Sequence, residues 1–121
     1  MISTGIDMIE ISRIKKSIKR PGFLKFIFSQ EEIDFFKEIK FNVQSISAAF
    51  CAKEAFAKAM GSGFRGFSFK DVNIFHDNLG KPYISLGGNA KKLFSDNILE
   101  ISLSLTHTKN YACAVVVCIN K

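Results

Sequence analysis

Tryptophan is absent from this 121-residue chain, proline and histidine each occur twice, and cysteine occurs three times. Two prolines exclude a proline-rich linker or a collagen-like repeat. Cys51, Cys113 and Cys118 are odd in number, lack metal-ligand spacing and lie among apolar neighbours, so they read as buried, reduced thiols. No apolar run approaches the ~18 residues of a membrane-spanning helix. The opening Met1-Ile2-Ser3-Thr4-Gly5-Ile6-Asp7 lacks the basic and apolar regions of a secretory signal, and the expectation is a cytoplasmic protein. Acidic residues are also scarce. Eleven of them stand against 17 lysines and arginines, a net charge of +6, which favours an anionic partner: nucleic acid, a phosphorylated ligand or an acidic protein.

Hydrophobic residues make up 47% of the chain and charged residues 23%, the balance of a globular protein. With no repeat and no linker, residues 1–121 read as a single domain. Ile2 to Ile6 reads as a strand leading into Asp7. From about Glu10 to Lys19, Ile11, Ile14 and Ile18 fall on one helical face and Arg13, Lys16 and Arg20 roughly opposite, until Pro21-Gly22 ends the helix. Ser29-Gln30-Glu31-Glu32 is a capping box that starts a short helix. A longer helix spans about Val43 to Met60, stopped by Gly61-Ser62-Gly63. The period then changes. Phe67 to Phe69 and Val72 to Phe75 alternate like strands, Asp77 to Pro82 turns, and Tyr83 to Leu86 pairs back. Asn89 to Ser95 reads as a short helix, and Ile98 to Leu105 and Tyr111 to Ile119 as strands joined by a polar loop, Thr106 to Asn110. The class is α+β, with helices on a mostly antiparallel sheet. The 13 phenylalanines fall largely in core patterns.

Four features could carry chemistry. Glu54 and Lys58, four apart on the long helix, share a face beside small residues, and Gly61-Ser62-Gly63 offers backbone N–H groups to a phosphate. The same pattern also suits an exposed ion pair followed by a glycine stop. Asp7, between a strand and a helix, either caps that helix or joins Glu54 in holding a hard divalent cation, because Mg²⁺ takes one or two carboxylates with waters and ligand phosphates. His107, in the polar loop between Thr106 and Thr108, could bind phosphate or shuttle a proton, whereas His76, next to a turn, reads as a surface residue. Arg13, Lys16 and Arg20 form a basic stripe, either a solvated face or a dock for an acidic helix.

Four blocks occur in order: Gly5-Ile6-Asp7-Met8-Ile9-Glu10-Ile11-Ser12-Arg13; the run from Phe50-Cys51-Ala52-Lys53-Glu54-Ala55-Phe56-Ala57-Lys58 to Gly61-Ser62-Gly63; Gly80-Lys81-Pro82; and Ser104-Leu105-Thr106-His107-Thr108-Lys109-Asn110-Tyr111-Ala112. Together they resemble the holo-(acyl-carrier-protein) synthase family, the short bacterial 4′-phosphopantetheinyl transferases, over nearly the whole chain. The resemblance implies the α+β fold of those enzymes and a homotrimer with active sites between subunits. It implies transfer of 4′-phosphopantetheine from coenzyme A to a serine of apo acyl carrier protein, dependent on Mg²⁺ and serving fatty acid biosynthesis. It also implies that Asp7 and Glu54 bind the metal, that Lys58 and His107 contact the coenzyme A phosphates, and that Gly61, Ser62, Gly63, Pro82 and Thr106 line the coenzyme A site. Arg13 then docks the carrier, flanked by Lys16 and Arg20. Glu54, directly or through a metal-bound water, is the first candidate base and a water positioned by another carboxylate the second, with Lys58 and His107 as further catalytic candidates. One position departs from the family pattern: the residue before Phe50, basic in many members, is Ala49, and Lys40 or Lys53 could replace part of its charge. The competing readings are a basic nucleic-acid-binding domain and a non-catalytic carrier-binding module. The first leaves Asp7 and Glu54 without a role.

Overall fold

The structure, a computed structural model, describes residues 1–121. Its elements are β1 (Ile2–Glu10), α1 (Ile11–Ile18), α2 (Phe23–Ile27), α3 (Gln30–Glu38), α4 (Val43–Met60), β2 (Val72–His76), β3 (Pro82–Leu86), α5 (Gly88–Phe94), β4 (Ile98–His107) and β5 (Tyr111–Asn120). The strands form two antiparallel sheets, one ordered β1-β5-β4 and the other a β2–β3 hairpin beside β4. The α+β class expected from the sequence is the observed one.

α4 is the axis of the core. Asn42 caps it by accepting from the Ser45 N–H, and Gly61, at φ +77°, ends it in the left-handed region that disfavours a side chain. One face of α4 lies across β1 and β5 and is built of small residues, among them Ala48, Ala52, Ala55 and Ala59. β1 meets that face through Gly5, where an added Cβ would stand 1.8 Å from the Ala55 carbonyl oxygen and 2.7 Å from the Ala59 nitrogen. Strand and helix backbones therefore touch here, which no residue with a side chain permits.

A second face of α4 carries a buried ion pair. Lys53, with no exposed surface, donates from Nζ to Glu32 Oε1 (2.7 Å) and to the carbonyls of Phe69 (3.0 Å) and Val72 (2.7 Å). Glu32 is also the third helical residue of the capping box read from the sequence. Its Oε1 accepts from the Ser29 N–H, Ser29 Oγ accepts from the Glu32 N–H, and its Oε2 accepts from the Ile74 N–H. Burial pulls the Lys53 pKa below the ordinary lysine value, with the Glu32 charge opposing. Lys53 is thus committed to the core and cannot replace the missing charge at Ala49.

Two other expectations change. β1 runs straight through Asp7 to Glu10, so Asp7 sits within a strand and caps no helix. The Phe67–Phe69 segment is no strand; it leads into a single 3-10 turn, Phe69–Asp71, closed by reciprocal bonds between Ser68 and Asp71. Most phenylalanines pack face to face or edge to face, as in Phe50–Phe69 (5.7 Å) and Phe64–Phe69 (3.9 Å), but Phe26 is 70% exposed. Cys51 and Cys118 are buried free thiols, as expected, and Cys113 is half-buried on the far side of the sheet. Because the Gly5 contact involves backbone on both sides, Gly5→Ala should cost about 3 kcal/mol or more, read as a drop in the urea midpoint.

Candidate active site

Alternation along β1 turns Gly5, Asp7 and Ile9 toward α4, and the Gly5 contact brings Asp7 to the helix face that carries Glu54 and Lys58. Lys58 Nζ donates to Asp7 Oδ1 (3.2 Å) and to the Ile6 carbonyl (2.9 Å). The ammonium is 55% exposed and Asp7 17%, so the pair opens to solvent on the lysine side. Burial pushes the Glu54 carboxyl above the ordinary glutamate value, the Asp7 charge pushes it further, and Lys58 partly opposes both. Next to them, burial and the Asp7 carboxylate raise the Cys51 thiol above the ordinary cysteine value.

The structure therefore brings together Asp7, Glu54 and Lys58, as the sequence led one to expect. No third His, Cys, Asp or Glu completes an all-protein cage. Two neighbouring carboxylates, the Glu54 group raised by the Asp7 charge, open to solvent on one side, fit a hard divalent cation that keeps most of its waters and takes ligand phosphates. They do not fit a four-ligand zinc site.

Gly61-Ser62-Gly63 follows Lys58 closely at the end of α4, and the other candidates lie apart from the cluster. Gly61 ends α4 one turn beyond Lys58, and Ser62 Oγ donates to the Gly63 carbonyl. His107 is the last residue of β4 rather than a loop residue, with Thr106 before it, and Pro82 opens β3 rather than closing the turn. His107 pairs with Ala112 on one side of β5, while Asp7 pairs with Ala114 on the other, so two strand spacings across and two residues along, roughly 12 Å between backbones, separate them. Arg13 and Lys16 are exposed on α1, opposite buried Ile11 and Ile14. Arg20 lies past the end of α1. Its guanidinium donates to Ser17 Oγ (3.2 Å) and sits 5.9 Å from the Phe23 ring centre. The stripe is thus two helical residues and one turn residue.

His76, expected at the surface, is exposed. It stacks on Phe35, with centroids 4.5 Å apart at 19°, and shares a small cavity with His107. β2 and β4 belong to different sheets, and no sequence spacing signals that His76 and His107 border one cavity.

With this geometry in place, the family described as the 4′-phosphopantetheinyl transferase superfamily matches residues 3–116. The chain belongs to the 4′-phosphopantetheinyl transferase superfamily. It is 46% identical to a holo-[acyl-carrier-protein] synthase of Clostridium botulinum over 114 residues, 93% of each chain. The holo-[acyl-carrier-protein] synthase structure from Neisseria meningitidis superposes with a TM-score of 0.88 at 35% identity, covering 98% of this chain and 99% of that one. The Helicobacter pylori synthase, solved in complex with coenzyme A, superposes at 0.84, also at 35% identity, covering 98% and 100%. The phosphopantetheinyl transferase fold expected from the sequence is thereby the fold found. No helix of this superfamily member is long and apolar enough to cross a membrane.

A carboxyl raised above its unfolded value binds more protons folded than unfolded. It favours the fold below the raised pKa and loses that contribution as pH rises through it. At neutral pH and without metal, the Glu54 charge is therefore a strain. Glu54→Gln should raise the melting temperature of the metal-free protein by a few degrees at pH 7–8, and the gain should fade as pH approaches the ordinary glutamate value of 4.5. Differential scanning calorimetry across that range checks both parts.

Proposed function

We propose that this chain is a holo-(acyl-carrier-protein) synthase, which transfers 4′-phosphopantetheine from coenzyme A to a serine of apo acyl carrier protein and releases adenosine 3′,5′-bisphosphate. The observation that carries the reading is the Asp7–Glu54–Lys58 cluster in a chain nearly half identical to proteins of that name. A nucleic-acid-binding domain would use the +6 charge but would gain nothing from two carboxylates crowded together. A carrier-binding module without catalysis would need only the α1 stripe.

Asp7 and Glu54 would hold Mg²⁺, which when bound supplies neutralisation of the charge developing on the leaving phosphate. The chain's own groups do the rest. Lys58, on an exposed flexible stem, exchanges its Asp7 and Ile6 contacts for the coenzyme A diphosphate. The backbone of Gly61-Ser62-Gly63 lies open beside it for a phosphate or the pantetheine arm. The carrier serine Oγ forms a bond to the phosphorus that carries pantetheine, and the bond from that phosphorus to the bridging oxygen breaks. The bridging oxygen leaves on adenosine bisphosphate. Glu54, directly or through a water, accepts the serine proton. The exposed Arg13, Lys16 and Arg20 meet the acidic carrier helix beside that serine. The setting is the cytoplasm, and the product serves fatty acid biosynthesis.

His107, Thr106 and Pro82 are proposed to serve the same reaction from a neighbouring copy in a homotrimer. Two features support this. Lys58 lines a groove with Thr4, Ile6 and Val115 at the edge of β1. From that edge spreads an apolar sheet face, with Ile2, Ile6 and Met8 each more than 60% exposed and Val115 and Val117 half-buried beside them. Alternation splits Val115-Val116-Val117, so that only Val116 faces α4.

Incubation with coenzyme A, Mg²⁺ and apo carrier should raise the carrier mass by one phosphopantetheine. Asp7→Ala and Glu54→Ala should each lower the rate by roughly 100-fold or more with an unchanged circular dichroism spectrum. Near-normal rates in both variants at saturating coenzyme A would remove the pair from the mechanism. Light scattering should give three chains for the wild type, and Met8→Lys should dissociate and inactivate it. A wild-type monomer fully active at assay concentration would overturn the shared site.

A further inference from the structure

A recess of about 680 Å³ opens between α3 and the outer edge of β2. Glu31, Phe35 and Glu38, spaced i, i+4 and i+7 on one face of α3, form one wall, and Ile74, His76 and Tyr83 of the hairpin form the other. No lysine or arginine lines it, although the chain carries a net charge of +6. Glu31 and Glu38 are exposed, and neither belongs to an ion pair. Glu38 closes α3, where the helix dipole disfavours a carboxylate. Asp77 adds charge at the rim, but its Oδ1 already accepts from the Leu79 and Lys81 N–H groups of its own turn.

The floor of the recess is the free edge of β2. Bonds from the Gly87 N–H to the Asp71 carbonyl and from the Asp77 N–H to the Lys81 carbonyl bracket the hairpin ladder. The backbone groups of Val72, Ile74 and His76 therefore point away from β3. Deep along this edge, Lys53 takes the Val72 carbonyl and Glu32 takes the Ile74 N–H. The next acceptor outward, the Ile74 carbonyl, has no donor partner in the chain, although Ile74 is only 3% exposed. Buried carbonyls are ordinarily paired.

The inner part of this seam already holds an ammonium. Lys53 Nζ lies against the Glu32 carboxylate of α3, the Phe69 and Val72 carbonyls, and the Phe28 ring, 5.0 Å from its centre. One step outward stand further carboxylates of α3, the Ile74 carbonyl and the rings of Phe35 and Tyr83, with no ammonium of the chain among them. We propose that this recess is a second ammonium site, open to solvent, and that it binds a linear aliphatic polyamine. Glu31 and Glu38 are seven residues apart, roughly 10 Å along the helix. An extended triamine spans that distance with an ammonium at each end, and a single metal ion does not. Its methylenes would lie on Phe35 and Ile74, and the aromatic faces favour the cation. His76, stacked on Phe35, does not oppose it: burial lowers the imidazole pKa, with the Asp77 charge acting the other way, so the ring is mostly neutral near pH 7. The site is independent of the donor and carrier chemistry.

Calorimetric titration of the full chain with spermidine should show one site per chain, weakened by salt. The amide resonances of His76 and Tyr83 should shift on binding. Glu31→Gln and Glu38→Gln should each weaken binding about tenfold, the loss of one charge-assisted contact, with an unchanged circular dichroism spectrum. Putrescine, too short to reach both carboxylates, should bind about tenfold more weakly than spermidine. Glu54→Gln, in the other acidic cluster, should leave spermidine binding unchanged. Spermidine affinity that survives both α3 substitutions, or that is lost in Glu54→Gln, overturns the site. Mg²⁺ displacing spermidine at equal concentration reduces the recess to a general acidic patch and overturns it too. So does a lysine peptide that binds more tightly than spermidine, since the recess would then be a protein dock.

Discussion

A buried ammonium holds this fold together. Lys53 has three N–H donors and finds three acceptors, the Glu32 carboxylate and the Phe69 and Val72 carbonyls. Glu32 is equally occupied, by Lys53, by the Ser29 amide that begins α3 and by the Ile74 amide in β2. Four segments meet at this pair. Such a network is worth having only when complete, since a lone charge left in the core costs about 3–5 kcal/mol. The next residue on the same helix, Glu54, points to a different side and faces Asp7 across the β1 contact. α4 thus separates two ionic clusters by one residue, one dry and closed, the other half-open and under tension.

Much of the architecture was legible because it rests on local signals. The Ser29–Glu32 box, the glycine stop after Met60 and the apolar periods of α4, β4 and β5 are all written within a few residues. The i, i+4 spacing put Glu54 and Lys58 on one face, and the family resemblance, not a local signal, settled on Asp7 as their companion. Long-range facts were not legible. Nothing near Lys53 distinguishes a core cation from the surface lysines around it, because its acceptors lie 16 to 21 residues away. The 3-10 turn at Phe69–Asp71 hides in an alternating Phe-Ser-Phe that imitates a strand. α2, only five residues long, is too short for a periodic signature. Arg20 obeys helical spacing on paper but follows the point where the backbone leaves the helix.

The sheet divides its labour between its faces. Ala112, Ala114, Val116 and Cys118 press against α4, while Cys113, Val115 and Val117 look the other way beside exposed Ile2, Ile6 and Met8. A face this apolar, on a chain with a surplus of positive charge, favours another apolar face over a charged partner. The basic α1 stripe offers the opposite chemistry, so the two surfaces need not compete for one occupant.

Gly5 sets the distance between β1 and α4 by backbone contact alone, with no side chain acting as a cushion. The gap between the two carboxylates is consequently fixed by main-chain geometry. Repacking the aromatic layer beneath α4 cannot adjust it, and neither can swapping one aliphatic residue for another. Only the reach of the acidic side chains remains variable. An attempt to retune the donor pair for a larger or smaller cation would have to act by exchanging aspartate and glutamate at positions 7 and 54, where one methylene is the smallest available step.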